Sequence, residues 1–230
     1  MQKSATSMTM RPMRTLFITL ALVGFGCGDS GTKAADAPNP PPIDSPPAVK
    51  QDCPTFCGEV LANCTGANAQ FPDDAHCEAT CASWALGTAA DKTGATLGCH
   101  IYHAGAPSMM TPTTHCVHAG PGGDLTTAAA PGTCGDACTN FCTLEIKACG
   151  SLDAPITGAP AQYQNTAACM TACAAFNKTN LYSITSKGDS LACRLYHATN
   201  AAITGNATVH CPHTAAVPAA GTPCTGAASP

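Results

Sequence analysis

An internal duplication of a cysteine- and histidine-rich segment places the strongest constraint on the fold of this chain. The segment from Gly94 to Ala104 returns as Gly188 to Ala198, and the two copies share the pattern G-x-[ST]-L-[GA]-C-x-[IL]-Y-H-A. A second shared pattern, H-C-x-H, follows at residues 115–118 and again at residues 210–213. Self-similarity of this kind indicates two homologous modules, which we assign to residues 53–134 and 138–224.

The cysteines recur in the same order in both modules. The chain contains 17 cysteines, and all except Cys27 align in pairs: Cys53/Cys138, Cys57/Cys142, Cys64/Cys149, Cys77/Cys169, Cys81/Cys173, Cys99/Cys193, Cys116/Cys211 and Cys134/Cys224. Charged residues make up only 10% and aromatic residues only 5% of the chain, so a large packed core is not expected. Small modules with little apolar surface to bury usually depend on disulfides, which form in oxidising compartments. The pattern therefore predicts a disulfide-rich, exported protein.

The N-terminus is typical of a bacterial export signal with a lipid attachment site. Basic residues Lys3, Arg11 and Arg14 precede an apolar run at residues 16–23, and small residues lead to Cys27. The stretch from Val23 to Cys27 resembles a lipobox, in which the cysteine is lipidated; the alternative is a plain signal peptide followed by a free cysteine. We expect a signal peptide over residues 1–27, a Pro-rich linker over residues 28–52, and a lipoprotein at the outer membrane or cell surface.

The spacing of the cysteines predicts helices. In each module the first three cysteines follow C-x3-C-x6-C, and spacings of four and seven residues fall on one face of an α-helix. The next pair repeats the four-residue spacing, and Pro72-Asp73-Asp74 ahead of it is typical of a helix start. Cys99 and His103 share this spacing on a third helix, opened after Thr93-Gly94. We therefore predict a mainly α fold, with two tandem disulfide-stapled three-helix modules and loop-rich tails.

Two antiparallel helices that each carry C-x3-C can be joined by two disulfides. This arrangement predicts the pairs Cys53–Cys81 and Cys57–Cys77, and likewise Cys138–Cys173 and Cys142–Cys169. The doubled C-x3-C resembles the helical hairpin of the small mitochondrial intermembrane-space chaperones, although the third helix and the extra cysteines depart from that family. If the third helix returns along the first, the remaining predicted pairs are Cys64–Cys99, Cys116–Cys134, Cys149–Cys193 and Cys211–Cys224.

The same cysteines could instead bind metal as thiolates. Structural zinc sites typically contain C-x2-C pairs and occur in reducing compartments, whereas this chain has no C-x2-C motif and carries an export signal. The sequence therefore favours disulfides. The missing motif also argues against thioredoxin-like exchange and against attachment of a c-type haem.

Three histidines recur in each module and are the candidate ligand-binding residues. They are His103, His115 and His118, with counterparts His197, His210 and His213. Such a set could bind copper or zinc, or a haem with help from Tyr102 or Tyr196. The alternative is a structural role, in which the imidazoles hydrogen-bond the backbone of a poorly helical tail. No acidic residue recurs beside them, so the sequence favours the structural role and predicts no obligatory cofactor.

The remaining titratable residues suggest no catalytic arrangement. No serine or carboxylate recurs near the histidines as a triad or carboxylate pair would require, so an enzyme is not expected. His76 and His100 are interpreted as incidental surface residues, and the following as helix-end or solvent-facing charges: Glu59, Asp73, Asp74, Glu78, Glu145 and Asp189. The formal net charge of −4, without a Lys/Arg cluster, argues against nucleic acid as a partner.

The combined pattern of C-x3-C-x6-C, C-x3-C, C-x2-Y-H-A and H-C-x-H resembles that of uncharacterised bacterial Cys-rich lipoproteins over residues 27–224. The resemblance implies a place in the cell envelope and no particular activity. We therefore expect an exported, lipid-anchored binding or structural module, with the membrane as one partner and a protein or glycan as the candidate second. The alternative is a metal- or haem-binding envelope protein that uses the repeated histidines.

Overall fold

The computed structural model of the chain describes residues 49–125 and 132–229, and within these ranges it forms helices and no extended strand. The first module contains α1 (Cys53–Asn63), α2 (Asp74–Cys81), α3 (Leu97–Ala104), α4 (Ala106–Met110) and α5 (Pro112–Ala119). The second contains α6 (Ala137–Cys149), α7 (Thr166–Ala174), α8 (Leu191–Ala201) and α9 (Ala207–His210), followed by a 3-10 turn at Cys211–Thr214. The predicted mainly α, disulfide-stapled fold is confirmed.

The tails of both modules are more helical than the sequence pattern predicts. In the first module α4 and α5 follow the third helix, and in the second α9 and its 3-10 turn take the corresponding place. Pro112 at the start of α5 and Pro212 inside the 3-10 turn suit these positions, because the first turn of a helix leaves its N–H groups unpaired in any case. The recurrent H-C-x-H motif therefore lies on helical backbone.

Short polar side chains cap six of the helices. Asp73 accepts a hydrogen bond from the His76 amide at 3.0 Å, so α2 begins in the predicted stretch. The third helix begins slightly later than predicted, at Leu97, because the side chain of Thr96 caps it. The other caps are Asp52 for α1, Asp136 for α6, Asn165 for α7 and Ser190 for α8.

The first two helices of each module form an antiparallel hairpin with two disulfides. In the first module the Cα atoms of Cys53 and Cys81 are 5.7 Å apart, as are those of Cys57 and Cys77. The second module repeats the arrangement in Cys138–Cys173 and Cys142–Cys169. All four disulfides predicted from the hairpin geometry are confirmed.

The other four predicted disulfides are wrong, because the third helix runs parallel to the first. The Asn63 side chain at the end of α1 donates a hydrogen bond to the Ala104 carbonyl at the end of α3. Cys99 lies a turn and a half before Ala104, about 7–8 Å back along the helix, and is out of reach of Cys64. The actual pairs are Cys64–Cys116, Cys99–Cys134, Cys149–Cys211 and Cys193–Cys224.

Loss of the tail disulfide Cys64–Cys116 is expected to destabilise the protein more than loss of the hairpin disulfide Cys57–Cys77. Cys64 and Cys116 are 52 residues apart in sequence, and Cys57 and Cys77 are 20 apart. Because the longer loop restricts the unfolded chain more, removing Cys64–Cys116 by paired alanine substitution should lower the free energy of unfolding by about 4 kcal/mol, against about 3 kcal/mol for Cys57–Cys77. Denaturant unfolding of the two variants checks this order, which the reverse ranking would contradict.

Each module has a core of its own, and His100 belongs to one of them. The cores centre on Phe56, Val60 and Phe71, and on Phe141, Leu144 and Leu195. The interpretation of His100 as a surface residue is wrong: it is fully buried, its ring stacks on Trp84 with centroids 3.6 Å apart, and its Nδ1 lies 3.1 Å from the Ala119 carbonyl.

The counterpart of His100 in the second module has the same place in the fold. Arg194 is also buried, and its guanidinium lies 4.0 Å from the ring centroid of Phe176, which is the counterpart of Trp84. It donates hydrogen bonds to the carbonyls of Ala215 and Ala216. In both modules this position therefore joins the third helix to the tail.

None of the helices in the described ranges is long and apolar enough to span a bilayer. The predicted signal peptide, Cys27 and the Pro-rich linker up to Ala48 lie outside the described residues.

Candidate metal centre

The three histidines of the first module converge on one point. His103 lies on the last turn of α3, and His115 and His118 lie three residues apart on one face of α5. One ring nitrogen of each histidine is within 4.8 Å of a ring nitrogen of the other two. The Nδ1 atoms of His103 and His115 are 2.8 Å apart. We call this set the first histidine cluster.

The outward ring nitrogens of this cluster face acceptors. Nε2 of His103 lies 3.1 Å from the Lys92 carbonyl oxygen, and Nε2 of His118 lies 3.6 Å from Oδ2 of Asp124. A carbonyl can only accept, so neutral His103 carries its proton on Nε2, and its Nδ1 accepts a hydrogen bond from the Nδ1–H of His115 at 2.8 Å. The Asp124 carboxylate favours the same tautomer for His118. Metal-binding histidines are typically oriented by carbonyl or carboxylate partners of this kind.

His118 has an inward ring nitrogen whose hydrogen-bonding capacity is not used. Its Nδ1 is buried and has no hydrogen-bond partner among the described residues. A buried nitrogen lone pair without a partner is unfavourable unless a proton donor or a cation faces it. Within the first histidine cluster, a cation would satisfy the lone pair of His118 Nδ1 and could take the place of the proton between His103 and His115.

The second module repeats the arrangement with His197, His210 and His213, which we call the second histidine cluster. Nδ1 of His197 lies 2.9 Å from Nδ1 of His210 and 3.2 Å from Nδ1 of His213. His197 occupies the same turn of α8 that His103 occupies in α3, while His210 ends α9 and His213 lies in the following 3-10 turn. Every histidine predicted as a candidate ligand therefore belongs to one of two matching clusters.

Burial favours the neutral form of His103, His118 and His197. Burial lowers the pKa of His103 and of His118, and the Asp124 carboxylate opposes the shift for His118. In the second cluster burial lowers the pKa of His197 to about 3, helped by the neighbouring His213 and His210. Neutral imidazole is the form that binds metal, so protons compete little with a metal ion at either cluster.

The spacing of the nitrogens suits a single metal ion. Two nitrogens that bind one tetrahedral zinc at about 2.0–2.1 Å lie about 3.3 Å apart, and the Nδ1 separations of 2.8–3.2 Å, which are those of metal-free hydrogen-bonded pairs, need to widen by only a few tenths of an ångström to match. A haem fits less well, because three rings that converge on one point leave no space for a flat macrocycle between them. The clusters therefore favour a metal ion over the haem that the sequence left open.

A disulfide borders each cluster. The Cys99 and Cys134 sulfurs lie within 4.8 Å of a ring nitrogen of His103, and Cys193 and Cys224 have the same relation to His197. Because these sulfurs are bonded to each other, they are not thiolates and cannot act as strong ligands. The donors of each cluster are imidazole nitrogens.

Asp124 is a supporting residue that the sequence pattern did not reveal. The sequence shows no acidic residue recurring beside the histidines, since the counterpart of Asp124 in the second module is Ala219. The segment after α5 nevertheless folds back and places the buried Asp124 beside His118. A carboxylate six residues beyond the H-C-x-H motif was the available signal, but one copy without a counterpart gave no reason to select it.

Replacing Asp124 with asparagine is expected to weaken metal binding at the first cluster alone. The change keeps the size of the side chain but removes the negative charge that orients His118, and loss of such a partner typically costs about 10–100-fold in affinity. Metal titration of Asp124→Asn would check this, with the second cluster of the same molecule as the internal control. Equal weakening of both clusters would contradict a local role for Asp124.

Glu145, like His100, is buried although the sequence predicts it at the surface. It was interpreted as a solvent-facing charge but is fully buried in α6, where it replaces Val60 of the first module. The Thr214 hydroxyl lies 2.8 Å from its Oε1 and also 2.7 Å from the Cys211 carbonyl. Burial raises the pKa of Glu145 to about 8. The residue is therefore held as a neutral acid at ordinary pH.

Together the fold and the clusters define an α-helical repeat protein with a disulfide-stapled, three-histidine cluster in each repeat. Residues 48–140 match the model of the BfoA family C-terminal domain. This span contains the whole first histidine cluster but ends within α6, so the second cluster lies outside it. Searches of curated proteins and of solved structures gave no match.

Proposed function

We propose that this protein is an exported metal-binding protein that holds two transition-metal ions, one in each histidine cluster. The observation that carries the proposal is the convergence of three ring nitrogens in both modules, with the buried and unpartnered Nδ1 of His118 among them. A histidine that only stabilised a tail would direct a donor at a carbonyl. Here His103 directs Nε2 at the Lys92 carbonyl, while its Nδ1 meets the imidazole of His115 rather than the backbone, in the pairing that a shared metal ion would replace.

The ligand set indicates which metals would bind. Imidazole suits zinc, copper and nickel, whereas magnesium and calcium prefer oxygen ligands. With three protein ligands, each cluster would leave a position on the metal for water or another ligand, as three-histidine zinc sites do. The cluster residues themselves would bind and orient the ion and exclude bulk water from one side of it.

The cellular location forms part of the proposal. Eight disulfides join the cysteines of the described residues, and such bonds persist in oxidising compartments. The sequence adds an export signal and a lipobox-like stretch that ends at Cys27. We therefore propose a lipid-anchored protein of the cell envelope, at the outer membrane or cell surface, in which the Pro-rich linker separates the metal sites from the membrane.

Metal content decides between this function and a purely structural role for the histidines. The full chain would be extracted without chelator and its zinc, copper and nickel measured by elemental analysis. It would then be stripped with EDTA and titrated with Zn²⁺ and Cu²⁺ by calorimetry. We expect two equivalents per chain with Zn²⁺ or Cu²⁺. Binding of less than half an equivalent of either metal by the correctly folded, fully disulfide-bonded protein would overturn the proposal.

A second candidate function is a binding module for another macromolecule at the cell surface, such as a protein or glycan. The observation that favours it is a pair of adjacent, exposed apolar side chains at the end of α4, Met109 and Met110. Exposed apolar residues that lie together often mark interaction surfaces. If the purified protein contains no metal and binds an isolated envelope protein or glycan in a pull-down, this function is favoured over metal binding.

A further inference from the structure

The disulfide beside the first histidine cluster brings two sulfurs to a ring of that cluster. The sulfurs of Cys99 and Cys134 and one ring nitrogen of His103 all lie within 4.8 Å of one another. Cys99 and His103 are four residues apart on α3 and so share one side of the helix. Cys134 reaches them from the turn that ends the first module. His103 therefore belongs to two sets of possible metal donors, the three imidazoles and a second set with two sulfurs, which we call the sulfur–imidazole set.

The second module repeats this arrangement. The sulfurs of Cys193 and Cys224 and one ring nitrogen of His197 also lie within 4.8 Å of one another, and Cys193 and His197 are four residues apart on α8. Among the eight disulfides of the described residues, these two alone place both sulfurs in such a set with a histidine. The modules differ elsewhere around the clusters, for example where Ala219 takes the place of Asp124. The sulfur–imidazole set is therefore a shared property of the repeat.

Once the disulfide is reduced, its two sulfurs and the imidazole suit a metal ion. Thiolates and imidazoles are the ligands of many zinc sites, and thiolates also bind Cu(I). Two thiolates carry two negative charges, so they attract a divalent cation more strongly than three neutral imidazoles do. Two cysteine sulfurs on one tetrahedral zinc lie about 3.8 Å apart. The Cα atoms of Cys99 and Cys134 are 5.6 Å apart, so rotation of the reduced side chains can provide this spacing.

We propose that reduction of these two disulfides converts each histidine cluster into a thiolate–imidazole site that holds its metal ion more tightly. The inference rests on the proposed metal binding and adds a means of regulating the same two sites. With the disulfides closed, imidazoles alone hold the ion and release it more readily. With the disulfides open, two thiolates join His103 in the first module and His197 in the second. The redox state of the surroundings thereby sets the affinity for metal.

The reductant in this step is a dithiol. One of its sulfurs, as a thiolate, attacks a sulfur of the Cys99–Cys134 disulfide, and the S–S bond breaks to form a mixed disulfide. The second sulfur of the dithiol then displaces the cysteine. The reductant leaves as a disulfide, and the protein gains two electrons and two protons as two thiols. Binding of a divalent metal ion releases both protons to solvent. Because both cysteines are buried, the attack requires local opening of the turn that carries Cys134.

Reduction and metal binding are linked thermodynamically. A metal ion that binds the reduced protein more tightly than the oxidised protein stabilises the reduced form by the same factor. We expect Zn²⁺ to bind each reduced site at least tenfold more tightly than the oxidised site. For a two-electron couple, this factor corresponds to a rise of about 30 mV in the reduction potential of the disulfide when Zn²⁺ saturates both forms.

The test measures the reduction potential of each disulfide with and without Zn²⁺. The full chain would be equilibrated in thiol–disulfide buffers of graded potential, with free Zn²⁺ held constant by a metal buffer. Acid quenching then releases the metal, and alkylation with mass spectrometry identifies the cysteines that were reduced. Zn²⁺ is expected to raise the potentials of Cys99–Cys134 and Cys193–Cys224 by about 30 mV or more.

The matched control is the hairpin disulfide Cys53–Cys81 of the same molecule. Cys53, like Cys99, lies in the first turn of a helix. Within the described part of the chain, however, no histidine forms a donor set with the sulfurs of Cys53–Cys81. Its potential should therefore not rise with Zn²⁺.

Two histidine variants separate the sulfur–imidazole set from the histidine cluster. His103→Gln removes the ring shared by both, so the rise at Cys99–Cys134 should be lost while the rise at Cys193–Cys224 remains. His115→Gln removes a ligand of the oxidised site only, so the rise at Cys99–Cys134 should remain or increase. The potential of Cys53–Cys81 without Zn²⁺ reports whether the first module is folded, because an unfolded module exposes all its disulfides to the reductant.

Three outcomes would overturn the inference. The first is a rise of less than about 30 mV at Cys99–Cys134 and Cys193–Cys224. The second is an equal rise at Cys53–Cys81, as expected if Zn²⁺ binds unfolded, reduced chains. The third is a rise at Cys99–Cys134 that persists in folded His103→Gln.

Failure of the proposed function would give a different result. In that case the fully oxidised protein would bind no metal in the calorimetric titration. An oxidised protein that binds two ions, but whose disulfide potentials do not respond to Zn²⁺, would refute the redox inference alone.

Discussion

His115→Gln is expected to reduce metal binding from two ions per chain to one, and His210→Gln to do the same at the other cluster. Each change removes one of three imidazole ligands. Loss of a residue that only orients a ligand costs about 10–100-fold, so loss of the ligand itself should cost more than about 100-fold. Both histidines are half-buried, and glutamine fills a similar space, so the fold should remain. Calorimetric titration and elemental analysis of the stripped and reloaded proteins would measure the effect.

The matched control for these variants is His76→Gln. His76 is a half-buried histidine near the second cluster but outside both, and it contacts Asp73 and Asn200. This variant should retain two metal ions, and the double variant His115→Gln/His210→Gln should retain none. Two ions in either single variant, or loss of both ions from one substitution, would contradict two independent sites.

Glu145 is expected to contribute progressively less to the stability of the metal-free protein as the pH rises from about 4.5 to about 8, a contribution isolated by comparing the wild type with Glu145→Gln. Burial raises the pKa of this carboxyl from 4.5 to about 8 in the folded protein. Between these values the folded state keeps the proton and the unfolded state has lost it, so each pH unit lowers the free energy of unfolding by about 1.4 kcal/mol. Below this range both states are protonated, and above it both are ionised. The contribution of Glu145 is therefore constant on either side.

Glu145→Gln should remove this pH dependence. The amide stays neutral at every pH and can still contact the Thr214 hydroxyl, so the variant and the wild type should have similar stability at pH 4. At pH 8.5 the variant should be more stable by about 5 kcal/mol, which corresponds to the full shift in pKa. Denaturant unfolding of the EDTA-treated proteins across this range would measure the difference.

Glu78→Gln provides the control for this experiment. Glu78 lies on α2 and is only partly buried, so its replacement should leave the pH profile close to that of the wild type. If the profiles of wild type and Glu145→Gln run parallel from pH 4 to pH 8.5, Glu145 is not held as a neutral acid in the folded protein.

The sequence predicted the local structure well, for local reasons. Spacings of four and seven residues place cysteines on one helix face whatever surrounds the helix, and caps such as Asp73 act within one turn. An antiparallel hairpin with two such faces leaves little freedom in pairing, which is why Cys53–Cys81 and Cys57–Cys77 were correct. The recurrence of His103, His115 and His118 also selected the cluster residues without any structure.

These patterns could not predict the direction of the third helix. A spacing rule gives the face of a helix but not whether the helix runs parallel or antiparallel to a distant one. The wrong choice exchanged the partners of Cys64 and Cys99. For the same reason the sequence did not predict that α5 packs on α3. This packing brings His115 and His118 to His103.

The sequence by itself therefore determined the first three helices of each module, the hairpin disulfides, the duplication and the identity of the six histidines. Only the tertiary structure decided that these histidines converge, that Asp124 supports one of them and that Glu145 is buried. The physical reason is that helix spacing and capping depend on neighbours within one or two turns. Convergence, burial and pKa instead depend on contacts between residues far apart in the chain, such as Glu145 and Thr214.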